Sequence, residues 1–137
     1  MTKKKKKILI IVLVVVAAII VIGGLVLKTT IDKLDKGLEE LMAIEIENVE
    51  LSQVADGTYS GAYKQFPIDV EVSVVLRDGK IQDIDILKHV NGKGKDGEKV
   101  IDRVMSEQSL EVDTVTGATY SSIVILKAIE QALINRN

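Results

Sequence analysis

The sequence predicts an α+β fold: a small antiparallel sheet with two packed helices, preceded by one transmembrane helix and a helical stalk. Three observations carry this reading. Residues Ile8 to Leu27 form a run of 20 positions without a charge. Ile68, Val70, Val72, Val74 and Leu76 alternate with Asp69, Glu71, Ser73, Val75 and Arg77 and run into Asp78-Gly79, the pattern of a half-buried strand ending in a tight hairpin. Residues 119–134 place Ile125, Leu126, Ile129, Ala132 and Leu133 on one helical face.

At 1.5 Å rise per residue the uncharged run spans about 30 Å, the thickness of a bilayer's hydrocarbon core. Lys3 to Lys7 precede it directly. A positive flank of this kind stays on the cytoplasmic side. The predicted topology is a single-pass protein of the cell membrane, with its N-terminus cytoplasmic and everything after Lys28 outside. A cleaved signal peptide would have an apolar core of about 7–15 residues ending at a small-x-small site. Here Ala17-Ala18 lie mid-run and Gly23-Gly24 are followed by Leu25-Val26-Leu27, so the run reads as an uncleaved anchor in contact with the lipid bilayer.

The chain holds no Cys, which excludes a lipoprotein anchor, disulfides, iron–sulfur clusters and thiolate zinc. Beyond Leu27 there are 13 Lys and Arg against 20 Asp and Glu. That acidic exterior repels phosphate backbones, so no nucleic acid is expected as a partner. The five lysines on the other side of the anchor suit anionic lipid.

The predicted organisation is a lysine-rich tail and anchor over residues 1–27, a helical stalk over 28–55 and a folded domain over 56–137. In the stalk, Ile31, Leu34, Leu38 and Leu41 recur at helical spacing within a helix from Thr30 to Glu47. The stripe fits packing on the domain or the lipid surface, and it also fits a short dimer seam. Asp56-Gly57-Thr58-Tyr59-Ser60-Gly61 reads as a turn leading into a short strand.

The strand after the Asp78-Gly79 turn, Lys80 to Lys88, carries a register conflict. Pairing Leu76 with Ile81 and continuing regularly would put Asp83 and Asp85 opposite the buried valines. A β-bulge near Gln82-Asp83 brings Ile84 and Ile86 opposite Val74 and Val72 instead. Asp96 is expected to cap a helix reaching about Ser109, with Ile101, Val104 and Met105 inward. Glu111 to Thr114 reads as a short strand, and Lys127, Glu130 and Gln131 form the outer face of the last helix.

Asp113-Thr114-Val115-Thr116-Gly117-Ala118-Thr119, followed by Tyr120, Ser121 and Ser122, combines small residues, hydroxyls and a helix start. The free N–H groups of a first helical turn stabilise an anion. Gly117 and Ala118 let a bulky group approach the backbone, and Gly117 accepts a positive φ at a sharp turn. Ser121 and Ser122 add hydroxyl donors. Read on local chemistry alone, the same residues are an ordinary helix-capping arrangement.

The spacing Asp113, Thr116, Gly117, Ala118, Thr119 resembles the flavinylation motif Asp-x-x-[Ser/Thr]-Gly-Ala-Thr of the FMN-binding domain family. The Asp56 to Gly61 opening, the strand pair around Asp78-Gly79-Lys80-Ile81 and the single His89 after it are similar to that family in the same order. The resemblance covers residues 56–134. It implies that a flavin transferase, using FAD, esterifies FMN onto Thr119, so that the protein serves as an electron carrier rather than a stand-alone enzyme. The implied partners are that transferase and membrane or extracytoplasmic redox proteins.

A threonine hydroxyl is a weak nucleophile and no neighbour in the sequence activates Thr119, which suits a substrate of modification. Tyr120 is placed to lie near the flavin, or half in the core as a helix-start residue. His89, a lone His without Cys, makes a poor zinc site, so no metal ligand and no catalytic residue is assigned; a structural or flavin-neighbour role is expected. Lys93, Lys95 and Lys99 either attract an anion or form a solvated loop. The competing reading of the whole chain is an extracytoplasmic binding or interaction module that holds FMN reversibly, or an envelope partner, without a covalent bond.

Overall fold

The computed structural model describes residues 2–135. The chain divides into two units, Met1–Lys36 and Gly37–Asn137. From Lys3 on, the first is helix, the greater part of α1 (Lys3–Met42). Among the described residues α1 is the one helix long and apolar enough to cross a membrane, and its apolar side chains from Ile8 to Leu27 are exposed. Uncharged residues over 20 positions leave no polar face for water, which is the composition of a span. No break separates the apolar run from the stalk stripe, because nothing between Lys28 and Met42 stops a helix except a tolerated Gly37.

The second unit holds a three-stranded antiparallel sheet in the order β1 (Gly57–Gln65), β2 (Ile68–Arg77), β3 (Lys80–Val90). A 3-10 turn, Lys95–Lys99, leads into α2 (Val100–Glu107), and α3 (Thr119–Ile134) ends the fold. The expected architecture is present, an α+β domain behind an apolar helix.

β2 is the centre of the core. Ile68, Val70, Val72, Val74 and Leu76 are all buried. Asp78 and Gly79 take φ of 52° and 68°, the left-handed pair that closes a two-residue hairpin in line with strand twist. The register then shifts at the expected place. Leu76 faces Ile81, whereas Val75 faces Asp83 and Val74 faces Ile84. Gln82 is the extra residue, and the aspartates stay outside.

A second shift lies between Glu71 and Val72, so that Val72 faces Ile86 and Glu71 faces Lys88. Leu87 is the extra residue here and is exposed. The cause is the same as at the first bulge. Regular pairing would have set Lys88 opposite the buried Val70, and the bulge brings His89 there in its place.

α3 lies on the inner face of the sheet. Ile125, Leu126, Ile129, Ala132 and Leu133 are buried as expected. Its seat on β1 is close: a side chain at Gly61 would run into the Ala128 carbonyl and the backbone of Ala132. The outer face differs from the expectation. Glu130 is buried, and Lys127 Nζ donates to Glu130 Oε1 at 2.8 Å and to the Glu45 carbonyl at 3.2 Å. The segment after α1 covers this side of the helix, with Ile44, Ile46 and Val49 packed against the core. A buried carboxylate needs a partner charge, and Lys127 one turn away supplies it.

Three further local expectations are corrected. The stalk helix ends at Met42 rather than Glu47, and the compact unit begins at Gly37, with Leu41, Leu51 and Val54 in the core. Asp96 caps nothing; it sits inside the 3-10 turn and pairs with Lys99 at 2.8 Å, while α2 starts at Val100 with Lys99 in the cap position and no side-chain cap. Residues 111–115 form no strand. Both edges of the sheet are already set, and β3's exposed edge near Ile81 is occupied by Gln108. That side chain accepts from Ile81 N–H at 2.7 Å and donates to Ile81 C=O at 3.0 Å, from a left-handed backbone at φ 53°.

The substitution Gly61→Ala should lower the unfolding free energy of the full chain in detergent by roughly 2–3 kcal/mol, because overpacking against backbone has no flexible neighbour to yield. Ala62→Ser, on the exposed side of the same strand, should change it by less than about 0.5 kcal/mol. Chemical denaturation followed by circular dichroism checks both.

Candidate functional site

Residues 111–118 reach the start of α3 without regular structure, so side chains hold them. Arg103, on α2, donates through Nη1 to the carbonyls of Asp113 (2.6 Å) and Thr114 (2.8 Å). Val115 is buried and begins a tight turn in which Ala118 N–H donates to Val115 C=O at 2.9 Å. Gly117 occupies the third position of that turn with φ 81°, where an L side chain is strained. No heavy atom lies within 4 Å of where its Cβ would be, so the tip of the turn is open space.

Ser122 fastens this turn to the helix. Its Oγ accepts from Val115 N–H at 3.1 Å and donates to Ala118 C=O at 2.8 Å, and the residue is fully buried. Ser121 is buried too and faces the sheet, where its Oγ lies 3.3 Å from His89 Nε2. His89 Nδ1 lies 2.8 Å from Glu98 Oε1, and the imidazole is 3% exposed. Gly94 and Gly97 pack directly on Ser121, leaving no room there for a side chain. The two serine hydroxyls thus act inward, on the protein, and do not stand on the open side as donors.

The open side belongs to the other motif residues. Asp113, Thr116 and Gly117 are exposed, Ala118 is buried, Thr119 is half-buried and Tyr120 is exposed. Thr119 is the first residue of α3. The cap position is Ala118, which has no side-chain acceptor to offer. Among the described residues no acceptor meets the N–H groups of Thr119, Tyr120 and Ser121, so the first turn presents unpaired donors together with the positive end of a 16-residue helix dipole. The ordinary capping reading of this stretch is not what the geometry shows, since neither Thr119 nor the serines cap the helix.

Around the site the charges are partly committed. Lys99 beside Asp96 holds that carboxyl below its ordinary value. Lys88 bonds Asp69 at 2.8 Å and, with Lys64, keeps the Asp69 carboxyl low. Lys93 and Lys95 are exposed and meet no acidic group among the described residues. No cluster of three or more potential metal-binding side chains occurs among them either. Two clefts lie elsewhere on the domain: one of about 180 Å³ along Ser60, Ala62, Glu71 and Leu87, and one of about 310 Å³ along Asn48, Ser52, Lys80 and Gln108. Neither is lined by residues 113–122.

Sequence reading had no means to find Arg103, Glu98 or Gln108, because each acts through one side chain reaching across a fold boundary. His89 had a signal: the Lys88 conflict with Val70 points to the bulge that turns it inward.

Residues 63–134 match the family described as FMN-binding domain. The match covers just over half of the chain, from the last residues of β1 to the end of α3, and the protein belongs to that family. Among curated proteins nothing matches the chain.

Replacing Ser122 by Ala should strand the Val115 N–H in the interior and cost about 1–3 kcal/mol of stability. The Val115 amide should also lose its protection in hydrogen exchange while amides of β2 keep theirs.

Proposed function

From membership of the FMN-binding domain family we propose that this is a membrane-anchored, extracytoplasmic electron-transfer flavoprotein that carries FMN as a phosphoester on Thr119. The observation that supports it most is the start of α3. A hydroxyl-bearing residue stands first in a long helix whose first three N–H groups meet no acceptor among the described residues, beside a turn tip with open space around it. The residues fit a phosphate: backbone donors and helix dipole favour the anion, and Thr119 is not sealed in the interior.

Thr119 Oγ would be the acceptor for a flavin transferase, gaining the FMN moiety of FAD as AMP leaves and the hydroxyl proton is lost. No His or Lys hydrogen-bonds to Thr119 among the described residues, so activation of the hydroxyl falls to the transferase. When bound, FMN supplies one- and two-electron redox chemistry. The chain's own residues hold the site. Arg103 and Ser122 fix the turn, Gly117 keeps it accessible, and Ser121 with His89 and Glu98 locks the helix start to β3. Tyr120 is exposed next to the acceptor and available to contact the ring.

A covalent tether suits a domain outside the cell, where a loosely held cofactor would diffuse away. The lysine-rich flank of α1 supports that orientation. The motif lies on open surface rather than in either cleft, which suits access by a transferase and by redox partners.

Coexpression with an active flavin transferase should raise the intact mass by FMN less one water, and Thr119→Val should abolish the increase. An unmodified mass of the unaltered chain would overturn the covalent reading. Yellow colour removable by dialysis would point to reversible binding, and absence of flavin to an interaction module.

A further inference from the structure

One end of the domain brings exposed apolar side chains and uncompensated lysines next to the start of α3. The β1–β2 turn at Phe66-Pro67 closes the sheet there, since Gln65 pairs with Ile68. β3 ends at the same place, because Val90 pairs with Asp69. α3 starts there as well, where Ser121 meets His89. Three apolar side chains at this end are exposed: Phe66 (49%), Val90 (50%) and Tyr120 (38%). Phe66, in the β1–β2 turn, and Val90, opposite Asp69, thus expose apolar surface at the same end of the sheet.

The compact unit also begins at this end. Gly37 lies against the Phe66 carbonyl, so closely that a Cβ would collide with it. Glu40 Oε2 accepts from Gln65 Nε2 at 2.6 Å. Only Lys28 to Lys36, all helical, separate Gly37 from the last residue of the apolar run. Nine residues make a short tether, so the second unit stays near any bilayer that the apolar run spans. Charge points the same way. Lys88 is taken by Asp69, Lys99 by Asp96 and Glu98 by His89. Lys93 and Lys95, in the loop after Val90, are left uncompensated and exposed.

We propose that this end of the domain is a lipid-contact surface, with Phe66 and Val90 among the headgroups and Lys93 and Lys95 on anionic lipid phosphate, the start of α3 lying at its rim. The inference rests on α1 spanning the bilayer and is independent of flavin. Aromatic residues favour the headgroup level, and a shallow apolar patch with flanking lysines binds anionic interfaces by burial and charge together. The contact would hold the helix start bearing Thr119 at the membrane surface.

Because the chain has no Cys, single-cysteine labelling tests this on the full chain in vesicles. Fluorophores would be placed at Phe66→Cys, Val90→Cys, Asp78→Cys at the opposite hairpin, and Val15→Cys in the anchor, with nitroxide-headgroup lipid as quencher. In phosphatidylglycerol-containing vesicles, quenching at 66 and 90 should be at least twofold that at 78. It should fall toward the level at 78 in the Lys93→Gln/Lys95→Gln variant. A label at 15 shielded from iodide, with 66 and 90 no more quenched by lipid than 78, would overturn the proposal while leaving the anchor intact. A label at 15 open to iodide would overturn the anchor and the proposal together. Labels at 66 and 90 shielded from iodide but not reached by lipid quencher would assign the patch to a second copy of the chain and overturn lipid contact.

Discussion

The complete burial of every second side chain of β2 is the constraint from which the rest of the domain follows. A central strand with one face in the core cannot share that face with a charge unless the charge is paired. β3 carries three charges that would otherwise arrive there: Asp83 and Asp85 by regular pairing from the hairpin, and Lys88 in the register that follows the first bulge. Two extra residues, Gln82 and Leu87, turn them outward. The second of these bulges has a consequence beyond packing, because the residue it brings inward is His89. The imidazole then links a strand, the 3-10 turn through Glu98 and the last helix through Ser121.

α3 is the other half of the same core. It is buried on nearly all sides, with ten of its 16 residues inaccessible, and Gly61 lets it sit directly on β1. A helix held this firmly cannot adjust its first turn, so that turn is a rigid platform. The approach from Arg103, the internal hydrogen bonds of Ser122 and the left-handed Gly117 leave Thr119 at the margin of the core, neither buried nor free. Preorganised donors that cost no rearrangement when an anion arrives are the general basis of phosphate recognition at helix starts.

The pairing of half-buried Lys127 with buried Glu130 shows how far the chain before the sheet takes part. Residues 28–55 were expected as a helical stalk and linker; within them Leu51 and Val54 join the core and the Glu45 carbonyl takes a bond from Lys127. A domain of about 80 residues has little core of its own. Packing Ile44, Ile46 and Val49 on the core, with the Glu45 carbonyl against Lys127 of α3, increases the buried apolar surface.

Local chemistry was legible in the amino-acid sequence. The apolar run, the alternating strand, the Asp78-Gly79 turn, the first bulge and the bounds of α3 each depend on neighbours within a few positions, where periodicity and backbone preference act directly. The resemblance to FMN-binding domains was also legible there, and the family match over residues 63–134 agrees with that membership. What only the tertiary structure decided is what each polar side chain does. Ser121 and Ser122 turned inward, Glu130 became buried, Asp96 failed as a cap and Arg103 emerged as the brace of the motif. The partner of a polar group is chosen by chain segments distant in sequence, and a hydrogen bond at 2.6–3.3 Å depends on packing that no local pattern encodes.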